Sequence, residues 1–373
     1  MENEKVKLFS KGISNGCPCE IEVFFSKYES VSRLITGFHL MELSHLVKCS
    51  YYENLNNAIG VPSEEVVEIR TCGKRIAFDM GDRSMLHHDI GVQYLNDVDM
   101  YFERSHEPEF ILTLPTALRD KVRPFGFNYY VTYPGNPVET IPKTLQGKLI
   151  KKAKQLTGYS RCMYVDAFEK CADYKEKDLR IIFMARLWDP EEIRLDDSTP
   201  THLRAYREYM REERQQINRD RIAIIRALRK EYGDRFVGGI QHNAFSEKCC
   251  SDILLPVKLT RKKHYLSEMQ RADICIGSTG LHKSIGWKTG EYVASSRAIV
   301  AERLCYCVPG DFAEDENYLP FDCVDECLCA VDKLYRNPMA VYQMKQKNEK
   351  YYWEYLRPEQ QIMNALRQCG CGK

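Results

Sequence analysis

The segment from Thr279 to Glu302 contains the residues whose types and spacing most clearly indicate chemistry. It follows a short apolar run, Asp273 to Gly277, that is typical of a strand. A loop with Gly280 and Gly286 comes next. Parallel α/β sheets bind ligands where such a loop opens at the carboxyl end of a strand. The segment therefore predicts a ligand site at the end of this strand.

A helix that begins near Trp287 or Lys288 is predicted after this loop, followed by a buried strand from Ala298 to Ala301. The first N–H groups of a helix have no partner within the helix and favour an anion, typically phosphate. Glu291 lies one turn into the helix, where a carboxylate can accept hydrogen bonds from the hydroxyls of a ribose. The pattern thus indicates a nucleotide as the ligand.

Arg186 is the second candidate, at the carboxyl end of the apolar run from Arg180 to Leu187. A guanidinium group stays charged and can hold two phosphate oxygens at once. The alternative is an arginine that packs over the following helix or pairs with Asp189. We favour the phosphate-binding interpretation.

The pattern G-L-H-x-S-x-G-W-K-x-G-E-Y-x-A-x-x-x-A-I-V, which begins at Gly280, resembles the donor-binding segment of group 1 glycosyltransferases with the GT-B fold. In particular it resembles a subgroup from bacterial surface-polysaccharide loci. The resemblance is specific from about Arg180 to Glu302. Glu291 falls on the second glutamate of the family pattern, whereas Lys283 stands where many relatives carry an earlier acid and Ala298 stands for a proline.

The resemblance implies two Rossmann-like α/β domains that face a cleft, with a C-terminal helix that crosses back to the first domain. It implies that Arg186 contacts the donor diphosphate and that Ser284 and the loop backbone line it. Lys288 is favoured as the second positive charge over Arg219, which is interpreted as a solvated helix residue. His282 either lies near the sugar or caps the loop. The expected donor-binding residues are Arg186, Gly280, His282, Ser284, Gly286, Lys288 and Glu291.

The first domain is expected to bind the acceptor, because an inverting enzyme needs a base there to take the proton of the acceptor hydroxyl. Asp79 and Asp82 follow a predicted strand and are the natural carboxylates; His39, in an early helix, is the natural imidazole. A buried structural histidine or a capping aspartate is the alternative for each of the three.

Metal binding and nucleic-acid binding are both disfavoured by the sequence. The pair Asp97 and Asp99 precedes a strand, whereas metal-binding carboxylates of this spacing follow one, so no metal or other cofactor is expected. The 16 cysteines form no C-x-x-C pair, and Cys369 and Cys371 lie in a tail expected to be frayed. The arginines between Arg204 and Arg235 alternate with acids, which is typical of a salt-bridged helix face rather than a nucleic-acid site.

The 373 residues suggest two domains, and the 44% apolar content suffices for their cores. We predict an acceptor domain over residues 1–172, a donor domain over 173–340, and C-terminal helices over 341–373 that pack back toward the first domain. In the first half, alternating strands and helices predict a parallel sheet. Its expected elements include a helix from His39 to Asn57, a strand from Phe127 to Tyr133 and a basic helix from Lys143 to Leu156.

These patterns predict a cytoplasmic enzyme without a transmembrane segment, since the chain has neither a signal-like N-terminus nor a long apolar run. It would move a sugar from a nucleotide-diphosphate sugar to a hydroxyl of a glycan or lipid-linked acceptor. Two alternatives stay open: a nucleotide-sugar epimerase of the same fold, and a non-catalytic binding protein. Peripheral membrane contact through the basic run after Lys143 is a further option, although a solvated helix is preferred there.

Overall fold

A computed structural model describes residues 19–53, 59–138, 159–193 and 200–371, together with the single positions 144, 146, 149, 152 and 153. The chain divides into two compact units. The first comprises Met1–Phe125, Tyr130–Thr140 and Arg357–Lys373, and the second comprises Gly126–Tyr129 and Ile141–Leu356. The last helix of the chain therefore belongs with the first unit.

The first unit is built on a six-stranded sheet in the order β2-β1-β3-β4-β5-β6. The pairs β1–β2, β4–β5 and β5–β6 are parallel. Its strands are β1 (Cys19–Phe25), β2 (Val47–Glu53), β3 (Val66–Thr71), β4 (Lys74–Asp79), β5 (Met100–Glu103) and β6 (Val122–Pro124).

Strand β3 runs antiparallel to both β1 and β4, whereas the sequence predicted a parallel sheet throughout. The cause is the two-residue connection between β3 and β4. Both of its residues, Cys72 and Gly73, have positive φ angles of 51° and 70°. Two successive residues of this kind form the hairpin turn that suits the twist of paired strands. A hairpin therefore replaces one crossover of the expected parallel fold.

The predicted helix from His39 to Asn57 was wrong. The structure instead has a helix, α1 (Ser32–Leu43), followed by strand β2, which pairs in parallel with β1. Side chains of β2 alternate in burial only weakly, so the sequence carries little strand periodicity. The other helices of this unit are α2 (Asp89–Asp97), α3 (Pro108–Ile111) and α4 (Thr116–Arg119), which precede the last helix.

Helix α1 packs against the last helix of the chain, which we number α13 (Pro358–Gln368). Gly37 lies at the contact. A Cβ atom there would stand 2.5 Å from Cδ1 of Ile362 and 2.6 Å from the carbonyl oxygen of Pro358. Arg33, also on α1, donates a hydrogen bond of 2.5 Å to Oε1 of Gln361. The glycine therefore permits the close approach of the two helices.

Gly37→Ala should lower the free energy of unfolding by about 2 kcal/mol, because overpacking against a backbone carbonyl forces the helices apart. Chemical denaturation monitored by circular dichroism measures this change. Leu43→Ala, at an exposed position on the same helix, should change stability by less than about 0.5 kcal/mol. Equal stability of the Gly37→Ala variant and the wild type would show that the helices do not meet at this point.

The second unit is built on a five-stranded sheet in the order β11-β10-β9-β7-β8, in which every pair is parallel. This is the 2-1-3-4-5 order of a doubly wound α/β fold. Its strands are β7 (Ile181–Ala185), β8 (Phe236–Ile240), β9 (Ile274–Gly277), β10 (Ala298–Glu302) and β11 (Leu319–Phe321). The predicted α/β class with two Rossmann-like units is thus confirmed, with β3 as the departure.

The helices of the second unit agree closely with the sequence periodicity. The periodicity of the sequence predicts a long helical region from about Thr201 to Tyr232, and the structure has a helix over these residues. Ile224, Ile225 and Leu228 on its inner face are fully buried. The helices are α5 (Val165–Phe168), α6 (Thr201–Tyr232), α7 (Ala244–Cys250), α8 (Val257–Thr260), α9 (Lys262–Arg271), α10 (Trp287–Ala294), α11 (Val324–Tyr335) and α12 (Pro338–Tyr351).

The aromatic stretch from Phe127 to Tyr133 is not a strand, contrary to the prediction. Its rings are buried as single anchors: Phe127 packs on Phe312 at 4.8 Å between ring centroids, and Tyr129 packs on Phe168 at 5.3 Å. Burial of aromatic side chains, rather than sheet pairing, explains this composition. The predicted basic helix from Lys143 to Leu156 lies almost entirely outside the described residues.

The tail at Cys369 and Cys371 was expected to be frayed, and this expectation was wrong, because the two side chains are 3% and 7% exposed. In the part of the chain that the structure describes, no helix combines the length and apolar character needed to cross a membrane.

Candidate functional site

Strands β7 and β9 lie side by side at the point where the strand order of the second sheet reverses. Connections leave the two strands in opposite directions there, and doubly wound folds bind ligands in the crevice that this creates. Arg186 follows β7 directly, and the loop from Ser278 to Gly286 follows β9. The structure thus places the two sequence candidates at the same edge of one sheet.

The loop after β9 is closed by its own hydrogen bonds. The N–H of Gly280 donates to the carbonyl oxygen of Ser284 at 2.8 Å, and the N–H of Ser284 donates to that of Leu281 at 3.1 Å. A Cβ atom on Gly280 would lie 2.6 Å from Oγ of Ser284, and one on Gly286 would lie 2.8 Å from the carbonyl oxygen of Ser278. The tight loop therefore requires the glycine at position 286, where the close atom belongs to the backbone, whereas at position 280 the Ser284 side chain would have to rotate away. The two N–H groups are used within it rather than offered to a ligand.

His282, at the tip of this loop, has a left-handed backbone with φ 59°. The planes of its ring and of the Tyr206 and Tyr209 rings on α6 are inclined by 7° and 24°, at centroid distances of 6.2 and 6.4 Å. The Tyr306 hydroxyl donates to the His282 carbonyl oxygen at 2.5 Å. These contacts hold the loop tip against α6.

Thr279 fixes the other side of the loop. Its N–H donates to Oε2 of Glu302 at 2.8 Å, and its hydroxyl donates to the same oxygen. Glu302 ends strand β10, and burial raises the pKa of its carboxyl group. The loop is therefore tied to the neighbouring strand by a largely buried carboxylate.

Arg221, on the inner face of α6, was not identified from the sequence. It is 7% exposed and donates to the carbonyl oxygen of Arg186 at 2.7 Å, to Oγ of Ser278 at 3.0 Å and to the carbonyl oxygen of Thr279 at 2.8 Å. It thus joins the ends of β7 and β9. Burial lowers its pKa to about 10. The sequence offered one signal for this: Arg221 lies four residues before Ile225, and residues four apart share one face of a helix, here the face toward the core.

Arg219, the rejected alternative, is exposed and donates to Oε1 of Gln216 at 2.6 Å. It lies two residues from Arg221, and so on a different side of the helix. The interpretation of Arg219 as a solvated helix residue agrees with this placement.

Arg186 is exposed, and its guanidinium group lies 3.8 Å from the centre of the Trp188 ring. The backbone of Trp188 is fixed to α6 by Asn218. The backbone N–H of Trp188 donates to Oδ1 of Asn218 at 3.0 Å, and the backbone carbonyl oxygen of Trp188 accepts from Nδ2 of Asn218 at 2.7 Å. Oδ1 of Asp189 accepts instead from the N–H of Glu191 at 2.9 Å. Stacking on an aromatic face thus orients the arginine and leaves it at the surface.

Lys288 lies in the first turn of α10, which begins at Trp287, near the start that the sequence predicted. Its Nζ donates to the carbonyl oxygen of Met184 on β7. Burial lowers its pKa to about 8; Glu291 opposes this effect, whereas Arg221, Lys262 and Arg186 add to it. Four cationic groups therefore act on one another around the ends of β7 and β9. An anion bound here would reduce their mutual repulsion.

Glu291 is 4% exposed, and its Oε1 accepts a hydrogen bond from Nζ of Lys262 on α9. Its Oε2 is buried, and the carboxylate interacts with the Tyr265 hydroxyl. The pKa of Tyr265 is raised by burial, then by the charge of Glu291 and by a side-chain hydrogen bond to it. Because each carboxylate oxygen can accept more than one hydrogen bond, Oε2 can still accept one from a ligand.

Lys262 was not identified from the sequence. The structure begins α9 at Lys262, whose Nζ also lies 4.9 Å from the Phe168 ring centre and 5.4 Å from that of Tyr265. It thus holds the glutamate from one side while two aromatic rings cover its charge.

In the first unit, Asp79 ends β4 and is 1% exposed. Its Oδ1 accepts from the N–H of Gly81 at 3.0 Å, and its Oδ2 accepts from the N–H of Met85 at 2.7 Å and the Tyr101 hydroxyl at 2.8 Å. Burial nevertheless raises its pKa. Because both oxygens serve the loop backbone, the geometry favours the capping alternative for Asp79.

Asp82 is exposed and forms an ion pair with Arg104, whose side chain is 3% exposed. His39 lies within α1, and its Nε2 is 2.9 Å from the carbonyl oxygen of Pro134. Of the three predicted catalytic candidates, Asp82 alone presents a carboxylate at the surface. All three assignments stay predictions.

A carboxylate–histidine pair at the end of β5 was not anticipated. Glu103 is fully buried, with Oε2 accepting from the Ser84 hydroxyl and Oε1 lying 3.0 Å from Nδ1 of His106. Burial raises the Glu103 pKa, and His106 counteracts it. A carboxylate beside Nδ1 can orient an imidazole for general-base catalysis, although Oε1 and Nδ1 do not reach hydrogen-bond geometry here. His106 therefore joins the candidates for a base in this unit.

Among the described residues, no group of three or more His, Cys, Asp and Glu side chains is placed to hold a metal ion. Asp97 ends α2, and Oδ2 of Asp99 accepts from the N–H of Arg75 at 2.8 Å. The pair therefore lies at the entry to β5, before the strand, as the sequence indicated.

Nucleotide affinity at this site should decrease as the pH rises through about 8, where Lys288 loses its proton. Calorimetric titration of UDP at pH 7 and pH 9.5 measures the change, and Lys288→Met should remove most of it. The lowered pKa has the opposite effect on stability. Between about pH 8 and its ordinary value near 10.4, the unfolded chain binds more protons at this lysine, so its contribution to stability rises with pH.

Lys288→Met should therefore bind UDP weakly with little change of stability at neutral pH, because the loss of the hydrogen bond to the Met184 carbonyl oxygen is offset by the removal of a buried charge. Lys258→Met, at an exposed position on α8, is the matched control and should retain both the affinity and its pH dependence. A Lys288→Met variant with the wild-type pH dependence would exclude Lys288 from the anion site.

No protein-family model matches the chain, and no curated protein matches it. Solved structures do match. The C-terminal domain of a group 1 family glycosyl transferase (LpcC) from Francisella tularensis is 13% identical, with 50% of this chain and 95% of that chain covered and a TM-score of 0.31. Anabaena Alr3699/HepE in complex with UDP is 10% identical, with 92% and 99% covered and a TM-score of 0.40.

The S. aureus MnaA structure with UDP is 11% identical, with 95% of this chain and 97% of that chain covered and a TM-score of 0.40. At these identities and TM-scores, the likenesses carry no conclusion about activity. The chain is similar to a group 1 glycosyl transferase domain and to two UDP-bound proteins.

Proposed function

We propose that the chain is a glycosyltransferase that moves a sugar from a nucleotide-diphosphate sugar to a hydroxyl of a glycan or lipid-linked acceptor. The second unit binds the donor. The observation that carries the proposal is the combination of the buried Glu291 carboxylate, whose Oε1 is held by Lys262 and whose Oε2 can accept a further hydrogen bond, and the cationic groups around Lys288. A nucleoside diphosphate complements both, since it offers hydroxyl donors and two phosphate charges.

The diphosphate lies at the carboxyl ends of β7 and β9 in this proposal. Arg186 binds it from the surface, oriented by the Trp188 ring, and Lys288 binds it from the start of α10. Arg221 supplies positive charge from the inner face of α6 and donates hydrogen bonds to the backbone carbonyl oxygens of Arg186 and Thr279, which follow β7 and β9. Negative charge accumulates on the diphosphate as the glycosidic bond breaks, and preorganised cations stabilise that charge.

The ribose lies against Glu291. Because Lys262 already occupies Oε1, the carboxylate is fixed in position and Oε2 is the acceptor for a ribose hydroxyl. The loop tip at His282 lies beside Tyr206 and Tyr209 of α6, and this aromatic group is the expected neighbour of the sugar. His282 positions the sugar in this arrangement and does not take part in bond cleavage.

The experiment that tests the proposal is incubation of the purified chain with UDP-, GDP-, CDP- and dTDP-sugars, with and without a lipid-linked acceptor and with EDTA. Transfer to the acceptor in EDTA supports a metal-independent glycosyltransferase. Interconversion of the sugar without acceptor assigns the epimerase alternative. Nucleotide binding without either product assigns a binding protein. Absence of both binding and turnover with all four donors would overturn the donor site itself.

A further inference from the structure

Three thiols meet in the first unit, far in sequence from the residues of the donor site. Sγ of Cys19, the first residue of β1, lies 3.7 Å from Sγ of Cys72 in the β3–β4 hairpin turn. Cys371, near the end of the chain, also interacts with the Cys72 thiol. Thr71 joins the group, since its Oγ1 lies 3.0 Å from Cys19 Sγ and 3.7 Å from Cys72 Sγ.

The thiols differ in exposure and acidity. Cys72 is exposed, Cys19 is partly buried and Cys371 is buried. The hydrogen bond from Thr71 lowers the Cys72 pKa against the effect of burial, and Cys19, Cys371 and the charge of Lys74 lower it further. Burial raises the pKa of Cys19. The pair therefore combines an accessible thiol whose pKa is lowered with a neighbour whose pKa is raised.

We propose that Cys72 is a peroxide-sensitive thiol and that Cys19 resolves it to a disulfide. The two sulfur atoms are already in van der Waals contact, and a disulfide bond needs them at about 2.0 Å. The hairpin turn carries Cys72 at its tip, so a small movement of the turn closes the remaining gap. Exposed thiolates with a second thiol in reach are the cysteines that oxidise selectively.

The oxidant is hydrogen peroxide. The Cys72 thiolate attacks one peroxide oxygen, the O–O bond breaks, and hydroxide leaves to give the sulfenic acid. The Cys19 sulfur then attacks the Cys72 sulfur. The S–S bond forms, the S–O bond breaks, and the hydroxyl group leaves as water with the proton of Cys19. Overall, two thiols and one peroxide give one disulfide and two waters, so the sulfurs are oxidised and the peroxide is reduced.

The test uses the full chain, treated with hydrogen peroxide, blocked with N-ethylmaleimide and digested without reductant for mass spectrometry. The expected product is a peptide pair joined through Cys19 and Cys72. It should be lost in Cys19→Ser and Cys72→Ser and retained in Cys329→Ser, which changes an exposed thiol of α11. In Cys19→Ser, dimedone should trap the Cys72 sulfenic acid.

A measurement on the wild type avoids reliance on the folding of the variants. Iodoacetamide at neutral pH should alkylate Cys72 about tenfold faster than Cys329, because only the thiolate reacts. Equal alkylation rates, a disulfide of Cys72 with Cys371 in place of Cys19, or a stoichiometric zinc ion that protects the three thiols would each overturn the proposal. Because none of these readouts involves nucleotide, they stand apart from the proposed transferase activity.

Discussion

Arg221→Met should lower the free energy of unfolding by about 3 kcal/mol, measured by chemical denaturation. The guanidinium group is buried and donates to two backbone carbonyl oxygens and one hydroxyl. Methionine fills a similar volume but leaves these three acceptors without their donor, and a buried unsatisfied group costs about 1–3 kcal/mol. The loss should be accompanied by weaker nucleotide binding, since the ends of β7 and β9 lose the residue that joins them.

The control is Arg219→Met, two residues away on the exposed side of the same helix. It removes the same charge from α6, yet its stability should stay within about 0.5 kcal/mol of the wild type. If both variants were equally stable, the hydrogen bonds of Arg221 would not be what holds the two strand ends together.

Glu291→Ala should weaken nucleotide binding by about a hundredfold, equivalent to about 2.8 kcal/mol. The substitution removes the oxygen assigned to the ribose and also releases Lys262, which then stands partly buried without its partner. Glu291→Gln keeps the size of the side chain and one carbonyl oxygen, so its affinity should fall by about tenfold. Isothermal titration calorimetry with UDP measures both values.

Glu268→Ala is the matched control for Glu291→Ala. Glu268 lies on α9 and pairs with Arg180 and Arg271, so its loss removes a glutamate of the same unit from outside the proposed site. Its nucleotide affinity should equal that of the wild type. A Glu291→Ala variant that binds UDP as tightly as Glu268→Ala would remove the ribose-binding role.

The sequence predicted the elements of the second unit because hydrophobic periodicity and turn residues agree there. The long helix from Thr201 to Tyr232 and the start of α10 at Trp287 were both anticipated. The buried strands β7, β9 and β10 are short apolar runs bounded by glycine or charge. Parallel sheets buried on both faces have this sequence signature.

The first unit was harder to predict because local patterns there are decided by pairing and burial at a distance. The hairpin depends on two positive φ angles at Cys72 and Gly73, and cysteine is not a typical residue for this turn. The aromatic residues Phe127 and Tyr129 have strand propensity, but they are buried individually in the second unit. Tertiary packing thus overrode strand propensity.

The candidate site was predicted in part. The position of Arg186 follows from the apolar strand that it ends, and the positions of Lys288 and Glu291 follow from the strand–loop–helix pattern of residues 273–294. Lys262 and Arg221 reach the same place from helices that are distant in sequence, so no local spacing connects them to it. Residues on separate helices can be assigned to one site only when the order of the strands that bring those helices together is known.

The central claim is that the second unit binds a nucleoside diphosphate through Glu291 and the cations at the ends of β7 and β9. Thermal-shift measurements with UDP, GDP, CDP and dTDP, on the wild type and on Glu291→Ala, test it most directly. A ligand that binds the folded state alone stabilises it by about 2.7 kcal/mol at a hundredfold excess over Kd. We predict a selective shift with one nucleotide that is weakened in Glu291→Ala; no shift with any of the four would contradict the claim.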